Sequence, residues 1–173
     1  MQKDYTVAQL KHLYGLAQEI RGPILEQAIA IELLVTDIIS RHFCPDDARG
    51  LELFSLVLSC TDLTFRSKTE MLDKLLRLRY PDLVKKYPKL VGEINKVRRF
   101  RNNIAHRMLD TTEPWLSKKH ADRIRLHFWK DGCRKQQVIT KEIRDELLRK
   151  CSGVILQLLE IQHEVKSRSV ASA

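Results

Sequence analysis

The run ILEQAIAIELLVTDII, residues 24–39, is the most apolar part of the chain and decides its fold class. Its apolar residues recur every three or four positions, as on the buried face of an α-helix. Leucine and isoleucine side chains widen this seam, as expected for a helix packed on several sides: Leu25, Ile29, Leu33 and Ile39. The run also holds Glu26, Glu32 and Asp37. These acids favour a buried helix over a membrane span, so we predict a helix over residues 24–42.

Helical spacing extends along the chain in both directions from this run. We predict a separate helix over residues 6–21, with Pro23 in the first turn of the helix that follows, where a missing N–H costs little. Downstream, the same spacing predicts helices over residues 67–79 and 89–105, with a single turn between them. Residues 51–59 are short and apolar, and they are interpreted as a helix with a buried strand as the alternative.

The pattern changes after residue 122. Residues 123–130 alternate in polarity, and Asp131-Gly132 separates them from a second run that ends at residue 139. Asp-Gly between two such runs is typical of a β-hairpin. Thr140 can then cap a last helix, and residues 167–173 are expected to fray. We predict an all-α fold over residues 1–173: one bundle of about five main helices, with a small β-hairpin inserted before the last helix.

The composition limits the class of protein. The chain has 173 residues, 43% of them hydrophobic, which is too many for a disordered chain and too few for a membrane protein. The four cysteines are scattered and form no Cys-x-x-Cys pair, so we expect neither disulfides nor a zinc site. The sequence therefore predicts a cytoplasmic protein with no membrane contact, no metal and no cofactor.

Positive charge is concentrated in one stretch. Lysine and arginine exceed the acidic residues by nine overall, and residues 66–107 alone hold 13 basic and 4 acidic residues. Concentrated lysine and arginine are what phosphate binding requires. A solvated helical surface explains the charge equally well.

The densest part of this stretch is KVRRFRNNIAHR, residues 96–107. Continuing the apolar stripe of Ile94 and Val97 places Arg101 on the buried face, where an arginine is costly unless it is paired or faces a wet cleft or an interface. Asn102 and His106 are four residues apart and can share one side of the helix.

These residue types suit the cleavage of RNA without a metal. A histidine such as His106 can move a proton near neutral pH, and the arginine can bind the phosphate and its developing charge. The 2′-hydroxyl of RNA supplies the nucleophile. The alternative is that Arg101 pairs with a buried acid such as Glu32 while His106 merely ends the helix, and for an isolated Arg and His pair that alternative is favoured.

The run Arg101-Asn102-Asn103-Ile104-Ala105-His106, late in a helical bundle, resembles the HEPN superfamily (higher eukaryotes and prokaryotes nucleotide-binding domains). That family carries an arginine, a polar residue that is often asparagine, and a histidine after a gap of four to six residues. The resemblance implies a metal-independent endoribonuclease of the toxin or phage-defence type. It further implies that two copies of the motif form one cleft in a homodimer. Catalytic roles then fall to Arg101 and His106, and Asn102 positions the pair or the phosphate.

Further residues and partners follow from this interpretation. The basic residues around the motif are predicted to bind RNA: Lys96, Arg98, Arg99 and Arg107. Glu32 is a candidate for orienting Arg101, and a satisfied core or interface carboxylate is just as plausible a role. The resemblance also implies a nucleotidyltransferase-type antitoxin as a partner. The alternative function is a non-catalytic HEPN module that binds RNA, a nucleotide or a protein partner, and a purely helical interaction protein is a third interpretation.

Overall fold

The computed structural model describes residues 7–60, 62–118 and 120–171, with side chains described as far as residue 168. Over these residues the chain is mostly helical, as the sequence predicts, with one small antiparallel sheet. No helix in these ranges is long and apolar enough to cross a membrane.

The first two predicted helices are a single helix, α1, which runs from Val7–Phe43 with Pro23 inside it. The prediction of a break at Pro23 is therefore wrong. An interior proline costs about 3 kcal/mol. Burying one isoleucine contributes about 1.5–3 kcal/mol, and Ile20 and Ile24, on either side of the proline, are both completely buried. The apolar seam therefore outweighs the proline.

The outer part of the predicted seam is not buried. Ile29 and Leu33 are 49% and 50% exposed, whereas Ile39 is buried and Leu25 is half-buried. The prediction that all four widen a buried face is wrong for Ile29 and Leu33, because the buried stripe of α1 runs through Ala28, Ile31 and Val35 instead.

Four helical segments follow α1. They are α2 (Asp47–Glu52), which continues as a π-helix over Leu53–Leu58, then α3 (Phe65–Arg79), α4 (Pro81–Lys86) and α5 (Leu90–His106). The helical interpretation of residues 51–59 is confirmed over the strand alternative. Side chains cap two of the starts: Asp46 accepts from the Arg49 N–H at 2.9 Å, and Thr64 accepts from the Ser67 N–H at 3.2 Å.

The predicted hairpin is confirmed. Strands β2 (Arg123–Lys130) and β3 (Cys133–Thr140) are antiparallel, with Arg123 opposite Thr140, and Asp131 and Gly132 both have positive φ as a tight two-residue turn requires. The sequence did not predict a third strand, β1 (Met108–Leu109), which pairs with the other edge of β2. Two residues are too few to show an alternating pattern.

A short helix, α6 (Glu113–Leu116), and the long helix α7 (Lys141–Ala171) complete the described chain. Thr140 caps α7 as predicted, since its hydroxyl oxygen accepts from the Ile143 N–H at 3.3 Å. The helix extends through most of the predicted frayed tail, and residues 172–173 lie outside the described residues.

The described chain divides into two compact units. The first comprises residues 7–26 and 100–149, and its core contains isoleucines of helix and sheet: Ile20, Ile24, Ile104, Ile124 and Ile139. The second comprises residues 27–99 and 150–171, and its fully buried residues include Ile31, Ile38, Leu72, Ile94 and Leu158. The single domain over residues 1–173 stays a prediction.

Candidate functional site

The Arg–Asn–Asn–Ile–Ala–His motif forms the last turns of α5 and belongs to the first compact unit. Ile104 is completely buried and holds this end of the helix in the core, whereas Arg101 is half-buried. One Nη1 hydrogen of Arg101 is donated to Oδ1 of Asn102 at 3.1 Å. Arg101 thus lies between the buried stripe and the solvent, with an amide as its partner.

His106 is the last residue of α5 and is exposed. Within the described part of the chain its ring has no hydrogen-bond partner, so both ring nitrogens are open to a ligand. Five residues separate it from Arg101, which in a regular helix is about 140° of rotation. The side chains of Arg101 and His106 therefore leave the helix in different directions, whereas Asn102 and His106 share a side.

Arg21 of α1 binds the backbone on both sides of His106. Its Nη2 donates to the carbonyl oxygen of Ile104 and, at 3.5 Å, to that of Arg107. These carbonyls have no partner within α5 because the helix ends there, and a cation is favourable at the negative end of a helix. Burial lowers the pKa of the Arg21 guanidinium. Arg21 therefore fixes the backbone that carries His106.

Arg107 is held against the sheet. Its Cζ lies 3.6 Å from the centre of the Phe128 ring, and its Nη1 donates to the Gln137 side-chain oxygen. Burial lowers the pKa of this guanidinium too. The residue that was predicted to bind RNA is thus half-buried, stacked on an aromatic ring and bonded to a neutral amide.

Asp110, four residues after His106, anchors the chain that leaves the motif. Its carboxylate is completely buried, binds Arg125 Nε, lies 2.9 Å from His127 Nε2, and accepts from the Thr112 N–H at 2.9 Å. Burial by itself would raise the pKa of Asp110, but the hydrogen bonds from Thr112, His127 and Arg125 outweigh it and lower the pKa to about 2. The carboxylate is therefore ionised and holds the motif end of α5 against β2.

The other predicted RNA-binding residues lie upstream on α5, in the second compact unit. Lys96 is paired with Glu93 at 2.7 Å, and Nε of Arg98 donates to Oδ1 of Asn95 at 3.2 Å. Arg99 is exposed and has no partner among the described residues. Of these three cations, Lys96 is the one whose charge is paired with a carboxylate.

Glu32, the predicted orienting acid, also lies in the second unit and has a partner there. Its Oε1 accepts from Lys68 Nζ at 2.9 Å, and the Lys68 side chain is only 8% exposed. Lys68 is one of the 13 basic residues of the stretch 66–107, so part of that charge is neutralised in the interior. The role of Glu32 in orienting Arg101 stays a prediction.

Sequence reasoning missed Arg21 and Asp110. Arg21 is 83 residues from Ile104 along the chain, and no local pattern connects the two. Asp110 carried a weak signal, since an aspartate two residues before Thr112 can form an Asx turn, and this turn is present.

A cavity of about 640 Å³ lies in the first unit. Its lining is mostly apolar and aromatic, and includes His12, Leu13, Trp115, Leu116 and His120. Trp115 is stacked on His120 at 3.7 Å, and neither the indole N–H of Trp115 nor Nε2 of His120 has a hydrogen-bond partner in the described chain. Such a lining suits an uncharged molecule, so the end of α5 is the better place for a phosphate.

No group of three histidine, cysteine or acidic side chains that could hold a metal ion occurs in the described ranges. In comparisons with family models, curated proteins and solved structures, nothing matches this chain.

Proposed function

We propose that this protein is a metal-independent endoribonuclease of the HEPN type that acts as a toxin or defence effector. The observation that supports the proposal best is the state of His106. It is exposed and unpartnered at the end of a helix, and the three guanidinium groups around that end have no carboxylate partner among the described residues: Arg21, Arg101 and Arg107.

The reaction would be a transfer of the phosphoryl group within the RNA. The 2′-oxygen attacks the neighbouring phosphorus and forms a new P–O bond, while the bond to the 5′-oxygen of the next nucleotide breaks. One proton leaves the 2′-hydroxyl and one is delivered to the 5′-oxygen, and the products are a 2′,3′-cyclic phosphate and a 5′-hydroxyl end. His106 would carry one of these protons, and Arg101 with Asn102 would hold the phosphate oxygens.

The proposal includes a homodimer. Arg101 and His106 diverge by about 140° on one helix, so a second copy of α5 would place the arginine of one chain beside the histidine of the other. If so, R101A and H106A proteins are each inactive but regain activity when mixed, because a mixed dimer retains one arginine and one histidine in the same cleft. No recovery in a verified mixed dimer would mean that both residues act within one chain.

A second candidate function is a binding module for RNA, a nucleotide or a partner protein such as an antitoxin. One observation favours it. Half-buried guanidinium groups without carboxylates can hold an anion with no chemistry, and this needs neither His106 nor a second copy. Salt-dependent RNA binding without cleavage would be its signature.

The test of the nuclease is cleavage of structured and unstructured RNA by the purified protein with a chelator present. H106A should lower the rate by at least about 100-fold, and R101A by about 100- to 1000-fold. The matched control is R77A, which removes an exposed arginine of α3 that is paired with Asp73 and should leave the rate within a few-fold of the wild type. Cleavage that survives H106A would falsify the role assigned to that residue.

A further inference from the structure

Arg21 and Arg107 differ from Lys68 and Arg125, two buried or half-buried cations that are paired with carboxylates. Arg21 and Arg107 are both half-buried, and both are bound by neutral groups, namely backbone carbonyls, an amide oxygen and an aromatic ring. Taking a charge out of water is costly unless an opposite charge compensates it. No carboxylate of the described residues does so for either one.

Arg21 caps the end of α5 with only some of its hydrogen-bond donors. Both of its hydrogen bonds come from Nη2, and a guanidinium has five N–H donors. The donors on Nε and Nη1 have no acceptor in the described chain. Arg107 likewise has one bonded nitrogen, Nη1, while the Phe128 ring covers the flat face of its guanidinium. Each residue is thus held rigidly while donors remain open.

The Arg21 side chain contacts the backbone of Arg107. Arg21 donates to the carbonyl of Arg107 itself, so the Arg21 guanidinium reaches the backbone of the residue that follows His106. Fixed guanidinium groups with open donors are the usual means by which proteins bind phosphate oxygens, because the planar fork matches their geometry. An anion here would supply the full counter-charge that the partial negative charge of the helix end does not.

We propose that Arg21 and Arg107 form a phosphate-binding site at the carboxyl end of α5, which holds a phosphodiester of the RNA backbone beside His106. This inference rests on the proposed function for the identity of the ligand as RNA. The site itself rests on the contacts of the two arginines. It adds Arg21, which no motif contains, to the residues that bind substrate.

The probe is inorganic phosphate, followed by the amide NMR signals of residues 104–108 in the labelled full-length protein. Wild-type signals should shift saturably with a dissociation constant in the millimolar range. R107M and R21M should each weaken binding by at least about 10-fold, since each removes one charge-assisted contact. R77M is the matched control: it removes an exposed arginine of α3 that is paired with Asp73, and it should bind phosphate as the wild type does.

Because R21M also removes a helix cap, a third variant keeps the inference testable if R21M does not fold. Q137E leaves both arginines in place and supplies a carboxylate to Arg107, so it should fold and still weaken phosphate binding. Absence of saturable shifts at residues 104–108 in the wild type would overturn the inference, and so would equal weakening by R77M.

A short single-stranded RNA and vesicles that contain phosphatidylglycerol then distinguish the sources of phosphate ester. RNA should displace inorganic phosphate and the vesicles should not; the reverse result would overturn RNA as the ligand. Phosphate binding without any cleavage of RNA would refute the nuclease and leave the anion site. Cleavage of RNA with no phosphate binding at residues 104–108 would refute the anion site and leave the nuclease.

Discussion

Arg125 and Arg107 are nearly matched in their surroundings and differ in one partner. Both belong to the first compact unit, and both place the guanidinium on an aromatic ring, Arg125 at 4.4 Å from the centre of Trp115 and Arg107 at 3.6 Å from that of Phe128. Arg125 binds the carboxylate of Asp110, whereas Arg107 binds the neutral amide of Gln137. The same residue type is therefore a compensated structural charge in one place and an uncompensated one in the other.

This difference gives the two arginines different roles: the Arg125–Asp110 pair stabilises the fold, whereas the charge of Arg107 is left for a ligand. The carboxylate of Asp110 is completely buried and has three partners, so its removal would cost stability. Because Arg125 is paired with this carboxylate, its charge is already compensated. Gln137 satisfies one donor of Arg107 and leaves the positive charge unopposed. The changes below to Asp110 and Gln137 alter the partner of one arginine of this comparison, and a surface pair serves as the control.

The largest expected effect is that of D110N on stability. The variant leaves the Arg125 guanidinium without its counter-charge next to a buried amide, and breaking a buried pair in this way costs about 3–5 kcal/mol. Urea unfolding at neutral pH measures it. An unfolding free energy within about 1 kcal/mol of the wild type would contradict the account of Asp110 as an anchor.

Acid should act on the same carboxylate. The pKa of Asp110 is lowered to about 2 in the folded protein, so the ionised form contributes stability above the unfolded pKa near 4, and this contribution is lost as the pH falls from about 4 towards 2. The loss should amount to about 2 kcal/mol. Unfolding measured from pH 5 to pH 2 should show this dependence in the wild type and a weaker one in D110N; equal slopes would count against it.

Q137E converts Arg107 into a counterpart of Arg125. The added carboxylate should stabilise the fold by about 0.5–1 kcal/mol, because the pair is only partly buried, and it should lower phosphate affinity at the end of α5. Thermal unfolding together with phosphate titration measures both. A stabilised protein with unchanged phosphate affinity would show that the charge of Arg107 does not reach the ligand.

The smallest effect is expected at Asp122, which pairs with Arg123 at 2.8 Å on the surface of the same unit. Both side chains are about 40% exposed or more, so D122N should change the unfolding free energy by less than about 1 kcal/mol. The variant is the matched control for D110N in the same urea experiment. A loss as large as that of D110N would mean that burial is not what distinguishes the two pairs.

Local patterns predicted most of the elements and little of the charge pairing. Helical spacing located α3, α5 and α7, and Asp131-Gly132 located the hairpin, because these signals reside in a few consecutive residues. Pro23 misled the prediction, since the cost of an interior proline is local while the burial of Ile20 and Ile24 that offsets it is tertiary. Arg101 could be singled out from spacing, because it falls on the apolar stripe of α5 that Ile94 and Val97 define. Arg21 could not, because its partners are 83 and 86 residues away.

The proposed cleavage of RNA through the 2′-hydroxyl at the end of α5 can be tested directly with one substrate. A DNA oligonucleotide with a single ribonucleotide is incubated with the purified protein and a chelator, and the products are analysed by mass. We expect cleavage only after the ribonucleotide, with a 2′,3′-cyclic phosphate on one product, and no cleavage by H106A. Cleavage at deoxynucleotides, or a product that ends in a 3′-hydroxyl, would contradict it.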